Sequence, residues 1–173
     1  MNVFVLTTGR SGSLCFARAC RCIDNYTAGH ETARRYDLEY PARHIEVDNR
    51  LAWFLGRLDA KYPDAFYVHL TRNRDDVARS FARRGASDPG KLLFGFVHSI
   101  KQGRAAGLRN EAVELVDTVT ANVRLFLRDR PHEVVPIEEP AGPFSRFWRA
   151  VGAEGDLAAA LDALGHVRHR GPA

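Results

Sequence analysis

Cysteine is scarce in this chain: Cys15, Cys20 and Cys22 are the only three, and they fall close together with no partners elsewhere. Their odd number and the absence of a Cys-x-x-Cys spacing argue against a disulfide framework and against a zinc site. Reduced thiols on one helix, in the cytoplasm, are the expectation. Long apolar runs are missing as well. No stretch approaches the roughly 20 residues of a membrane span. Val3-Phe4-Val5-Leu6 gives way at once to a polar turn, so a signal peptide is not expected either. Charge of one sign is also absent, because 25 basic residues face 21 acidic ones and leave a net charge of +4. That is far from a nucleic-acid-binding tail, and no nucleic-acid partner is expected. Lysine supplies only three of the 25 cations. Arginine is favoured where planar, phosphate-like anions are held. An arginine-rich genome would give the same bias, so the count alone assigns nothing.

What the chain does have is 173 residues, 45% of them hydrophobic. A single domain spanning residues 1–173 of that size buries about 70% of its unfolded surface. There are no repeats, low-complexity tracts or long linkers. Residues 3–7 form a short continuous apolar run, the pattern of a strand buried on both faces at the centre of a parallel sheet. Residues 13–23 follow at helical spacing. Leu51, Phe54, Leu55 and Leu58 mark a second helix with Asp48 as its cap and Pro63 after its end. Residues 66–71 are a second strand, running into a helix over residues 75–84 with acids in its first turn, arginines in its last and Gly85 as its stop. Residues 91–102 are expected to be helical, and residues 111–130 to be a long amphipathic helix, itself a candidate homodimer face. Residues 134–137 read as a third strand, pushed towards an edge by Pro136. Two further helices follow, from Pro143 and around Leu157, Leu161 and Leu164. Strands alternating with helices predict a three-layer α/β/α fold with a mainly parallel central sheet.

Two motifs carry chemistry. The first is Thr7-Thr8-Gly9-Arg10-Ser11-Gly12-Ser13-Leu14, set between a buried strand and a helix N-terminus. Free N–H groups and the helix dipole make such a junction an anion site, and glycines let phosphate oxygens come close. It is not a Walker A motif, because Ser13 stands where lysine belongs; the positive charge is inside the loop, at Arg10. The second motif is Arg72 at the C-terminal end of a strand with Ser80 on the following helix. Arg72 stands at the edge where open α/β sheets bind ligands, and Ser80 shares the flank of the inward helix face, so the two could converge on one anion.

Together these motifs resemble the sulfotransferases that use 3′-phosphoadenosine 5′-phosphosulfate (PAPS). That family has a phosphosulfate loop of the form basic-Ser-Gly-Ser/Thr, matched by Arg10-Ser11-Gly12-Ser13, and a 3′-phosphate site of a strand-end Arg with a helix Ser eight residues later, matched by Arg72 and Ser80. Residues 45–51, 67–81 and 134–148 also look like bacterial members. The resemblance implies a P-loop-like fold and in-line transfer of a sulfuryl group from PAPS to a hydroxyl or amine of a small-molecule, glycan or lipid acceptor. It leaves 3′-phosphoadenosine 5′-phosphate (PAP) as product and requires no metal. Gly9, Arg10, Ser11, Gly12, Ser13, Leu14, Arg72 and Ser80 would hold the nucleotide, with Arg10 also against the leaving 5′-phosphate.

The acceptor must lose a proton, and relatives use His or Glu. Glu31 is the first candidate and His30 the second, because their segment follows the first helix and should return to the cofactor edge. Glu46 and Asp48 are expected to be structural, at a strand end and a helix cap, and His69 to be a satisfied core or flank histidine. Arg34, Arg35, Arg83 and Arg84 read as solvated charges near helix termini, and Arg168-His169-Arg170-Gly171 as a basic tail only loosely like a family Arg-Lys-Gly. The alternatives are a small P-loop kinase-like phosphotransferase, disfavoured by the missing Walker lysine, and a non-catalytic nucleotide-binding module.

Overall fold

A computed structural model describes residues 1–32, 37–84, 92–101 and 108–165 of the chain. Five parallel strands form one sheet in the order β2-β3-β1-β4-β5. The central strand β1 (Val3–Leu6) pairs with β3 (His44–Val47) on one side and β4 (Phe66–Thr71) on the other. Edge strand β2 (Thr27–His30) lies outside β3, and β5 (His132–Pro136) lies outside β4. All four residues of β1 are fully buried, as its unbroken apolar run requires.

Alternation along β1 divides the core in two. Val3 and Val5 pack on one face with Phe16, Ala17 and Cys20 of α1 (Ser13–Cys20), with Phe144, Phe147 and Trp148 of α6 (Ala141–Ala150), and with Leu164 of α7 (Leu157–Gly165). Phe4 and Leu6 pack on the other face with Leu58 of α2 (Leu55–Lys61), Val77, Ala78 and Phe81 of α3 (Arg74–Arg84) and the apolar stripe of α5 (Leu108–Leu127). Helices on both faces of a parallel sheet make the three layers. Because β1 sends its helix to one face while β3 and β4 send theirs to the other, crevices open at the C-terminal end of β1, where such sheets bind ligands.

Several elements differ from their sequence reading. The first helix stops at Cys20, and Asp48 caps a 3₁₀ turn (Asn49–Trp53) by accepting from the Arg50 N–H at 2.8 Å, with α2 beginning only at Leu55. The segment expected to be one helix over residues 91–102 is an α-turn, α4 (Leu92–Gly95), that widens into a π-helix (Phe96–Ile100) closed by an i to i+5 bond from Lys101 N–H to Phe96 O at 3.0 Å. Lys91, Gln102 and the expected helix stop at Gly85 lie outside the described residues. Strand β2 has no counterpart in the sequence reading, and β3 has one only in the expectation that Glu46 stands at a strand end. Among the described residues no helix is long and apolar enough to cross a membrane.

Candidate functional site

The loop after β1 is shaped by left-handed backbone at three positions, Gly9 (φ +81°), Arg10 (φ 60°) and Gly12 (φ 82°). Gly12 also caps α1, and a Cβ there would stand 2.8 Å from Ile137 Cγ1, so both conformation and packing demand glycine. Thr8 and Ser11 close the loop from within. Their hydroxyls lie 3.2 Å apart and both face the Gly9 carbonyl, at 3.0 and 3.1 Å. The Ser11 side chain is therefore a structural member of the loop. Its backbone N–H, and those of Gly12, Ser13 and Leu14, find no acceptor among the described residues. Four consecutive free amides at a helix N-terminus fit a multiply charged oxyanion group.

Arg72 and Ser80 do converge, and they meet at Arg10. Arg10 Nε donates to Ser80 Oγ at 2.9 Å, and Arg72 Nη1 donates to the Arg10 carbonyl at 3.1 Å. These ties hold a non-glycine residue in the left-handed region, a conformation that persists only where surrounding contacts support it. Ser80 is buried, so its position on the inward flank of α3 is as expected. It accepts from Arg10 and keeps its own hydrogen to donate, while Arg72 spends one of five N–H donors.

His30 and Glu31 end β2 at the same edge of the sheet. His30 Nε2 lies 3.1 Å from Ser13 Oγ, which ties the imidazole to the loop. Glu31, also left-handed (φ 55°), is exposed and accepts from Asn49 Nδ2 at 2.8 Å. A buried polar chain anchors this turn. Glu46, fully buried in β3, accepts from the Thr32 N–H at 2.9 Å and from the Thr32 hydroxyl, and it pairs with His44 Nε2 at 2.9 Å. Burial pushes the Glu46 carboxyl up, but the hydrogen bonds from His44 and Thr32 outweigh it and hold the group below the usual carboxylate range. A Cβ on Gly29 would stand 2.5 Å from Glu46 Oε2, so this glycine makes room for the carboxylate.

Loop residues border two cavities. Gly9, Arg10, Ser13 and the exposed Leu14 line one of about 600 Å³, together with His30 and Glu31. Thr8 lines another of about 680 Å³, together with Arg72, His69, Arg124 of α5 and Arg128 just after it. Both volumes lie in the range of small-ligand sites. His69 is a correction to the sequence reading. It is 3% exposed, yet its ring makes no hydrogen bond among the described residues. Burial, followed by the charges of Arg124 and His132, pushes its pKa down to about 4. Asn49, Arg124 and Arg128 line these cavities without having been singled out by the sequence reading. Only the four-residue spacing of Arg124 and Arg128 within the helix expected over residues 111–130 offered a signal. Arg34, Arg35 and the 168–171 segment lie outside the described residues, as does the side chain of Arg84. Comparison with protein-family models, with curated proteins and with solved structures finds no match to this chain.

Proposed function

We propose that the chain is a PAPS-dependent sulfotransferase. The observation that carries this reading is the convergence of Arg72 and Ser80 on Arg10, from 62 and 70 residues away, at a glycine loop with four free amides. These are the side chains that the resemblance assigns to the 3′-phosphate and to the phosphosulfate. PAPS would supply an activated sulfuryl group. The loop amides and Arg10 would stabilise the charge that gathers on the transferring group and on the departing 5′-phosphate, so positioning and electrostatics do most of the work.

The acceptor would enter the cavity of about 600 Å³, where His30 and Glu31 stand beside Ser13 and Leu14. Between them the geometry favours His30 as general base. Its ring is held at the loop by Ser13, whereas Glu31 is exposed and engaged by Asn49. Histidine is also the side chain most often used as a general base. The leucine and phenylalanine side chains of the same cavity, Leu14, Phe81 and Leu92, suit an acceptor with an apolar portion beside its hydroxyl or amine.

Thermal shift with PAP, adenosine 5′-phosphate and ATP with magnesium tests the reading. A ligand that prefers the folded state raises its stability by mass action, about 2.7 kcal/mol at a hundredfold excess over Kd. Selective stabilisation by PAP, lost in Arg72→Ala, is the expected result. Equal stabilisation by ATP with magnesium would overturn the proposal in favour of a kinase-like phosphotransferase.

A further inference from the structure

The larger cavity holds a charge arrangement that the loop does not explain. It lies between the C-terminal ends of β4 and β5 and the helix α5, and four arginines line it: Arg72, Arg74, Arg124 and Arg128. Arg74 is neutralised by Asp117, which it grips through Nε and Nη2 at 2.6 and 2.5 Å. Arg130, two residues after Arg128, is likewise forked onto Asp59. Arg124 and Arg128 are different. Arg124 lies in the last turn of α5 and Arg128 in the turn that directly follows it, and both line the cavity. Among the described residues neither has a carboxylate partner. Three cations, Arg72, Arg124 and Arg128, thus line one cavity against the carboxylate of Glu138, whose Oε1 already accepts the Asn73 N–H at 2.6 Å.

A second observation points into the same space. His69 is on the face of β4 that packs toward α5, almost wholly buried, lines the cavity and lacks a hydrogen-bond partner among the described residues. Its ring borders the open cavity, so a polar ligand reaching the floor of that cavity would meet the imidazole.

We infer that this cavity is a phosphomonoester-binding site, in which Arg124 of α5 and Arg128 of the turn after it form a second cationic wall beside Arg72 and His69 bonds the bound anion. The inference rests on the sulfotransferase reading only for the ligand's identity: on that reading the anion is the 3′-phosphate of the donor nucleotide. A dianionic group suits three guanidinium donors, each capable of charge-assisted hydrogen bonds. An anion in the cavity also offsets the Arg124 charge felt by His69, so occupancy raises the pKa of this histidine.

The test is the double variant Arg124→Gln/Arg128→Gln. Both side chains are exposed and have no ion pair among the described residues, so the fold is expected to keep its thermal midpoint. Calorimetric titration of wild type and variant with PAP and with adenosine 5′-phosphate reads the preference for a 3′-phosphate. The expected result is a preference in wild type that falls about tenfold or more in the variant, while affinity for adenosine 5′-phosphate is unchanged. A preference that survives in the variant overturns the role of Arg124 and Arg128 and leaves the sulfotransferase reading standing. A wild type without any preference overturns that reading instead, and inorganic phosphate then decides the site. Phosphate that moves the His69 ring resonances and raises its pKa in wild type, but not in the variant, supports an anion site. Phosphate that leaves His69 unmoved in wild type overturns it.

Discussion

Alanine at Gly12 separates two physical demands on one residue, and alanine at Gly9 provides the control. Both glycines are left-handed, at +82° and +81°, and placing a Cβ in that region costs about 1–2 kcal/mol. Only Gly12 is also crowded. An added Cβ would lie 2.8 Å from Ile137 Cγ1 and 3.2 Å from its Cδ1, whereas at Gly9 the nearest atoms are 3.5 Å away. Overpacking a filled site costs a further ~1–3 kcal/mol. Gly12→Ala is therefore expected to lose about 3 kcal/mol and Gly9→Ala about 1–2 kcal/mol, out of a total of roughly 5–15 kcal/mol for a domain. At about 2–4 °C per kcal/mol for a chain of this size, the Gly12 variant should melt about 6–12 °C lower. Urea unfolding of both variants, with Ile137→Ala and the Gly12→Ala/Ile137→Ala pair added, isolates the contact as a coupling energy. Truncating Ile137 should cancel the steric part of the Gly12 penalty and leave the backbone part. Equal losses at Gly9 and Gly12, or no coupling with Ile137, would refute the packing argument.

His69 makes stability depend on pH. Its folded pKa is depressed to about 4, so the unfolded chain binds the extra proton below the ordinary value near 6.5. Stability is complete above about pH 6.5 and is lost as pH falls towards 4, by about 2 kcal/mol at pH 5. Urea midpoints at pH 7 and pH 5 should move apart in wild type and draw together in His69→Gln; an unchanged gap would show that His69 is not the group responsible. For the proposed transfer reaction, His30→Gln should lower kcat by about 10²–10⁴. Glu31→Gln should mainly disturb the contact with Asn49, and a larger kcat loss there than at His30 would reverse the assignment of the base.

The strands and helices that surfaced from the sequence are those whose own residues carry the signal. Residues 3–7 read as a buried central strand because every side chain in β1 is apolar, and α5 shows its apolar stripe at helical spacing. Strand β2 did not surface and β3 did so only at Glu46, and the reason is chemical. Thr27-Ala28-Gly29-His30 has no apolar run, and β3 buries His44 and Glu46 among its four residues. These polar groups are tolerated because they satisfy one another: Thr27 bonds His44 Nδ1 at 2.7 Å, His44 bonds Glu46, and Thr32 completes the carboxylate. A pairing between strands that lie 17 residues apart in register is invisible in either strand alone. The same holds for the π-helix, whose wider bond is a choice among turns that one spacing pattern permits.

By itself the sequence determined the layered α/β class, the central place of β1, the glycine loop before α1 and the candidacy of Arg10, Arg72 and Ser80, because each rests on residues close together in the chain. Tertiary structure decided what these residues touch. It turned the Ser11 hydroxyl inward, bound Arg72 and Ser80 to Arg10, brought His30 to Ser13 and set His69 in one cavity with Arg124 and Arg128. Local periodicity sets which face of an element is apolar. Which polar groups meet at the edge of the sheet depends on strand order, and strand order is settled only when the two halves of the core close on β1.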